Sequence, residues 1–140
     1  MKQAILTALG TIGSFIAFLL GGWDASVITL LIFMLVDYIT GIICAIFHKS
    51  KKTENGNLSS RVGWKGLCKK FITLLFIIVA VRLDLIIGGG NIIRDAVCVA
   101  FITNELISIV ENAGLMGVPI PKVITNAIAV LNKKDDEKDI

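Results

Sequence analysis

From Ala4 to Gly22 the chain carries no charged side chain. A helix rising 1.5 Å per residue needs about 20 apolar residues to cross a hydrocarbon layer roughly 30 Å thick, and this run meets that requirement. Lys2 precedes the run, so a secretory signal peptide competes with a membrane span. Signal peptides have an apolar centre of about 7–15 residues followed by a small-x-small cleavage site. This run is longer and no such site follows it, which favours the span. Trp23, at its end, suits an interfacial anchor.

Three further apolar blocks follow. The second runs over 25–47 and carries Asp37 near its centre; the turn at Gly21, Gly22 and Asp24 is so short that the first two blocks form a hairpin. The third runs over 71–88, contains Arg82 and Asp84, and ends at Gly88-Gly89-Gly90. The fourth, 96–113, contains Asn104, Glu105 and Ser108 and is the weakest; it can also be read as an amphipathic helix lying in the interface, leaving three spans. Composition agrees with a bilayer rather than a packed soluble core. Hydrophobic residues make up 55% without counting glycine, against about 45–50% with glycine in ordinary soluble domains, and the mean hydropathy is +0.82. Gly114, Gly117, Pro119 and Pro121 break the chain. A short helix over 121–131 then puts Val123, Ile124, Ala127, Ile128 and Leu131 on one face. The expected fold is an all-α integral membrane protein. About four transmembrane helices and the C-terminal amphipathic helix form one polytopic domain over 1–131, and 132–140 form a charged, disordered tail.

The net charge is +3, and the positive charge is clumped in the stretch 48–70, where Lys49, Lys51, Lys52, Arg61, Lys65, Lys69 and Lys70 fall. Between two apolar blocks such a cluster reads as a topology determinant rather than a nucleic-acid patch, so no nucleic-acid partner is expected. The positive-inside rule puts this loop in the cytoplasm, and four spans bring both termini there too. Lys2 and the tail lysines agree; Arg94, in the short outer loop, does not. Asn57-Leu58-Ser59 has the form of a glycosylation acceptor, which a cytoplasmic placement discounts. Ser59 and Ser60 suit the N-cap of a helix leading into the third block. Cys44, Cys68 and Cys98 match no zinc spacing, and His48 stands alone at a membrane edge. No metal site, cofactor or catalytic constellation is expected; the triple glycine is a turn without the flanking pattern of a phosphate loop.

Two sets of residues carry functional interest. Gly13, Ala17 and Gly21 recur at four-residue spacing on the first span, with Gly10 and Ser14 as a second pair. Small residues let helices approach closely in lipid, so this is either an oligomerisation face or packing within one subunit. The other set is polar: Asp37, Thr40, Gly41, Cys44 and His48 share one face of the second block, and Asn104, Glu105, Ser108, Glu111 and Asn112 one side of the fourth. Ionisable groups at mid-membrane cost about 2.5–3.5 kcal/mol each on insertion scales and generally face protein or water. Counted from the cytoplasmic ends of their blocks, Asp37 and Arg82 lie about 15 Å deep and Glu105 about 12 Å. Arg82 is therefore expected to pair with Asp37 or Glu105. Asp37, Thr40, Arg82, Asp84, Asn104, Glu105, Ser108 and Glu111 are the candidate pore-facing or intramembrane polar residues.

These motifs in their order resemble one family. Asp37-Tyr38-Ile39-Thr40-Gly41 in a span, then Ser59-Ser60, Gly63-Trp64-Lys65-Gly66 and Lys69-Lys70, the run Asn104–Asn112, and Gly117-Val118-Pro119-Ile120-Pro121-Lys122 look like the toxin-secretion/phage-lysis holin family. The resemblance covers roughly 37–131; the first span matches in character alone. It implies a protein that accumulates in the bacterial cytoplasmic membrane, assembles with itself and opens lesions through which a phage endolysin, or in some relatives a toxin, passes as cargo. The family assigns no settled role to the polar positions. Without the resemblance, a small ion or proton channel or transporter using Asp37 and Glu105, or a membrane scaffold for a soluble partner, remains open.

Overall fold

In the computed structural model, which describes residues 1–136, every regular element is a helix: α1 Lys2–Leu19, α2 Ala25–Ile46, α3 Ser60–Ile87, α4 Ile92–Leu115 and α5 Lys122–Asp136. Local chemistry sets the ends. Asp24 caps α2 by accepting from Val27 N at 3.1 Å, and Ser59 caps α3, as its position suggested, by accepting from Val62 N at 3.5 Å. Gly88 ends α3 in the left-handed region at φ 75°, where a side chain would clash with its own backbone.

α3 begins eleven residues before the apolar block it contains, because the Ser59 cap starts the helix in the basic stretch. α5 likewise continues to Asp136, past the expected end at 131. Of the expected tail, 137–140 lie outside the described residues.

α4 is the central helix: α2 and α3 pack along it and α5 also touches it, whereas α2 and α3 meet each other little. The core between them is thin, formed by Leu20, Val27, Leu30, Met34, Ile77, Cys98 and Ile102. Phe76 and Phe101 add a tilted ring pair at 6.4 Å between centroids. α1 stands apart, barely touching the other helices and burying none of its residues.

The outside is apolar. Leu6, Phe18, Ile32, Leu35, Phe71, Phe76 and Ile86 are all more than half exposed. Contiguous apolar surface on this scale needs a cover, and lipid is a cover that asks for no polar groups in return. α1 and α2 are long and apolar enough to cross a membrane. α3 and α4, at 28 and 24 residues, have the length, but charges interrupt them.

Candidate functional site

Two polar layers interrupt this apolar bundle. The first lies where α2, α3 and α4 converge near the basic loop. Lys70 Nζ stands between two carboxylates, 2.8 Å from Asp37 Oδ2 and 2.5 Å from Glu105 Oε2. Ser108 donates to Asp37 Oδ1 at 2.5 Å, and Asn112 Nδ2 donates to the same oxygen at 3.2 Å and to Thr40 Oγ1 at 3.0 Å. Thr40 in turn donates to the Asp37 carbonyl at 3.1 Å, and Cys44 Sγ to the Asn112 carbonyl at 3.3 Å. The four-residue repeat of Ser108 and Asn112 on α4 and the i, i+3, i+7 positions of Asp37, Thr40 and Cys44 on α2 give each helix one polar stripe. The stripes face each other.

Above this cluster, toward the basic loop, is a cavity of about 390 Å³. Gly41, Gly63 and Gly66 leave the space, the loop from Ser50 to Ser59 covers it, and Asp37, Lys70 and Glu105 lie in its wall. Asn104 lines it as well while remaining exposed.

The second layer is at the opposite end. Asp84 accepts from the backbone N–H groups of Ile93 at 3.0 Å and Arg94 at 2.8 Å, so it caps the start of α4. Arg94 is fully buried. Its guanidinium donates to the Leu20 carbonyl at 3.0 Å, the Gly22 carbonyl at 3.3 Å and Asp95 Oδ1 at 2.9 Å, and it also pairs with Asp24. The hydrogen bond and charge of Arg94 hold the Asp24 carboxyl below the usual carboxylate range, against the opposing effect of burial.

The expected pairing of Arg82 is corrected. Lys70 is the cation that Asp37 and Glu105 share, and Arg82 is exposed with no ion pair among the described residues. Lys70 and Arg82 are twelve residues apart, about 18 Å along a helix. Counting depth from the ends of the apolar blocks treated those ends as level, but α3 carries its basic start deep into the bundle. Of the candidate polar residues the structure thus joins Asp37, Thr40, Glu105 and Ser108, gives Asp84 a capping role, and leaves Arg82 and Glu111 exposed.

Sequence reasoning missed two principal residues. Lys70 looked like one more member of a basic loop. Arg94 looked like an exception to loop charge, although Asp24 and Asp95 in the same short outer segments were a signal that it has partners. On α1, a Cβ added at Gly10 or Gly13 would meet nothing within 4 Å, and Ser14 is exposed. Gly21 belongs elsewhere: with φ +78° it turns the chain, and a Cβ there would lie 3.1 Å from Val81 Cγ2 and 3.3 Å from Arg94 Nε.

An apolar exterior, helices long enough for a bilayer, and buried charged groups, Asp37, Asp84 and Arg94, that are all satisfied inside the subunit define a small helical membrane protein. The chain belongs to the bacteriophage holin family, whose family profile matches residues 14–133. It is 35% identical over 109 residues to the probable holin of Bacillus phage phi105, covering 78% of this chain and 76% of that one. An uncharacterized protein of Clostridium perfringens is 36% identical over 128 residues, covering 91% of this chain and 90% of the relative. A Listeria monocytogenes protein is 37% identical over 127 residues, covering 91% and 86%. No solved structure matches. Family membership fits a non-enzymatic membrane protein.

Proposed function

We propose that this chain is a holin that assembles with itself in the bacterial cytoplasmic membrane and opens lesions through which a cytoplasmic endolysin, or a toxin, escapes. In this reading α1 to α4 all span, and the basic loop and both termini face the cytoplasm. The observation that carries it is α1. A predominantly apolar helix, unpacked on its own bundle, open at Gly10 and Gly13, exposed at Ser14 and unburied at Ala17, has its close-packing face free for another copy. Contact between subunits then competes with contact with lipid, and assembly depends on surface density. Once subunits meet, the inward polar stripes of α2 and α4 supply groups that can face water in a lesion.

The polar cavity beside Asp37, Lys70 and Glu105 supports a second reading, a small ion or proton channel. Induced expression in bacteria, with and without a co-expressed wall-degrading enzyme that lacks an export signal, separates the two. Abrupt lysis that depends on the enzyme is expected for a holin with large lesions. Sudden depolarisation without enzyme release would indicate small pores. Saturable, substrate-specific flux without cell death would favour the channel or transporter, and no effect on viability or potential would overturn the holin reading.

A further inference from the structure

Beside the cavity near the basic loop lies a second, apolar depression of about 300 Å³ on the outer face of the bundle, lined by Leu31, Met34, Leu35, Leu67, Phe71 and Leu74. The two meet at Tyr38 and Lys70, which line both. The depression lies between α2 and α3, and the cavity lies between the same two helices with α4 as its third wall, at Phe101, Asn104, Glu105 and Ser108. From Leu31, the innermost α2 residue of the groove, to Ala45, the last α2 residue of the cavity, is fourteen residues, about 21 Å of helix. That is the depth of one leaflet with its headgroups, about 20–22 Å, or half of a 40–45 Å bilayer. The order is also that of a lipid, with the polar part next to the loop and the apolar part toward the membrane centre.

Charge narrows the ligand. The cavity wall holds Lys52, Lys69 and Lys70 against Asp37 and Glu105, which leaves one positive charge. Lys70 is committed to the two carboxylates, whereas Lys52 and Lys69 have no carboxylate within 4 Å among the described residues. Hydroxyl and amide groups of Ser50, Thr53, Asn57 and Ser59 surround the same space. A single phosphodiester with no cationic headgroup would neutralise the wall; a zwitterionic headgroup would leave the charge standing.

We propose that the cleft between α2 and α3 is a binding site for one anionic glycerophospholipid of the loop-side leaflet, with its phosphate at Lys52 and Lys69 and an acyl chain in the groove from Tyr38 to Leu31. This rests on the membrane-spanning reading but not on lesion formation. Lipid held there fills the gap between α2 and α3 and ties the loop-side half of the bundle to the leaflet that carries the anionic lipid.

The test uses the full chain, extracted in mild non-ionic detergent and washed free of lipid. It is titrated with dioctanoyl phosphatidylglycerol, dioctanoyl phosphatidylcholine and inorganic phosphate, and bound molecules are counted by native mass spectrometry. One phosphatidylglycerol per chain is expected, held at least about fivefold more tightly than phosphatidylcholine, with Lys52→Gln and Lys69→Gln each weakening it about fivefold. Gly66→Leu, which fills open space in the cavity, is expected to abolish retention; the lysine variants keep the test sharp if that variant does not fold. Equal retention of both lipids, or lysine variants that bind like the parent, overturns the proposal. Displacement of the lipid by phosphate at similar concentration also overturns it, since the groove would then contribute nothing. Alkaline carbonate extraction of the expressing cells separates the two readings. A chain released from membranes would overturn the spanning reading together with this one, whereas a resistant chain without lipid preference would overturn the lipid site alone.

Discussion

Arg94, in the first turn of α4, donates from Nε to the Leu20 carbonyl at 3.0 Å across 74 residues of sequence. The contact fastens the turn between α1 and α2 to the start of the central helix. Its remaining donors meet the Gly22 carbonyl, Asp24 and Asp95. Five donors in a rigid planar fork suit such a junction, and an ammonium on a flexible stem does not. Arg94→Ala should therefore destabilise the subunit by about 3–5 kcal/mol, the usual consequence of removing one partner of a buried ion pair, and Arg94→Lys should recover less than half. Thermal unfolding in detergent, followed by helix circular dichroism, checks both.

The same junction predicts an acid response. The folded-state pKa of Asp24 lies below its ordinary value because Arg94 favours the ionised form. A depressed carboxyl contributes its stabilisation fully above the unfolded value, about 4, and loses it as pH falls through the lower folded value. Stability in detergent should accordingly decline below about pH 4, and Asp24→Asn should flatten that decline while lowering stability at neutral pH. Asp24 is half exposed, so the effect will be smaller than for a buried pair.

At the other polar layer, Lys70→Met strands Asp37 and Glu105 next to each other. A loss of about 3–5 kcal/mol is expected, and the triple variant Lys70→Met, Asp37→Asn, Glu105→Gln should recover a large part of it. The coupling, more than about 1 kcal/mol from additivity, is read from unfolding of the single and combined variants. Arg82→Leu should change subunit stability by no more than about 0.5 kcal/mol, since its side chain is exposed and unpaired among the described residues.

The small residues of α1 should separate folding from assembly. Gly10→Leu and Gly13→Leu meet open space and should leave subunit stability within about 0.5 kcal/mol, while shifting the time at which expressing cells lose membrane potential. Gly21→Ala should do the reverse, destabilising the subunit by roughly 1 kcal/mol or more through its positive φ and the approach of Val81. Unchanged timing in both leucine variants would count against assembly through this face.

Hydrophobic block length, turn residues and caps are local properties, so they were readable in sequence. The five helices, the Ser59 cap and the inward stripe of Asp37 and Thr40 followed from spacing of a few residues. The ending of α5 was not so readable, because Lys133 and Lys134 suit a last helical turn as well as a tail.

Partner choice was decided only in three dimensions. Whether Asp37 meets Lys70 or Arg82 depends on how far α3 slides along α4, and a shift of three helical turns leaves the sequence pattern of α3 almost unchanged. The register is set by the Asp84 cap on α4 at one end and the Lys70 bridge at the other, contacts between residues ten to thirty-five positions apart. The sequence by itself determined that this chain would be helical, apolar outside and polar within. The tertiary structure determined which charges cancel, because a buried charge cut off from water accepts the partner that packing brings within about 3 Å.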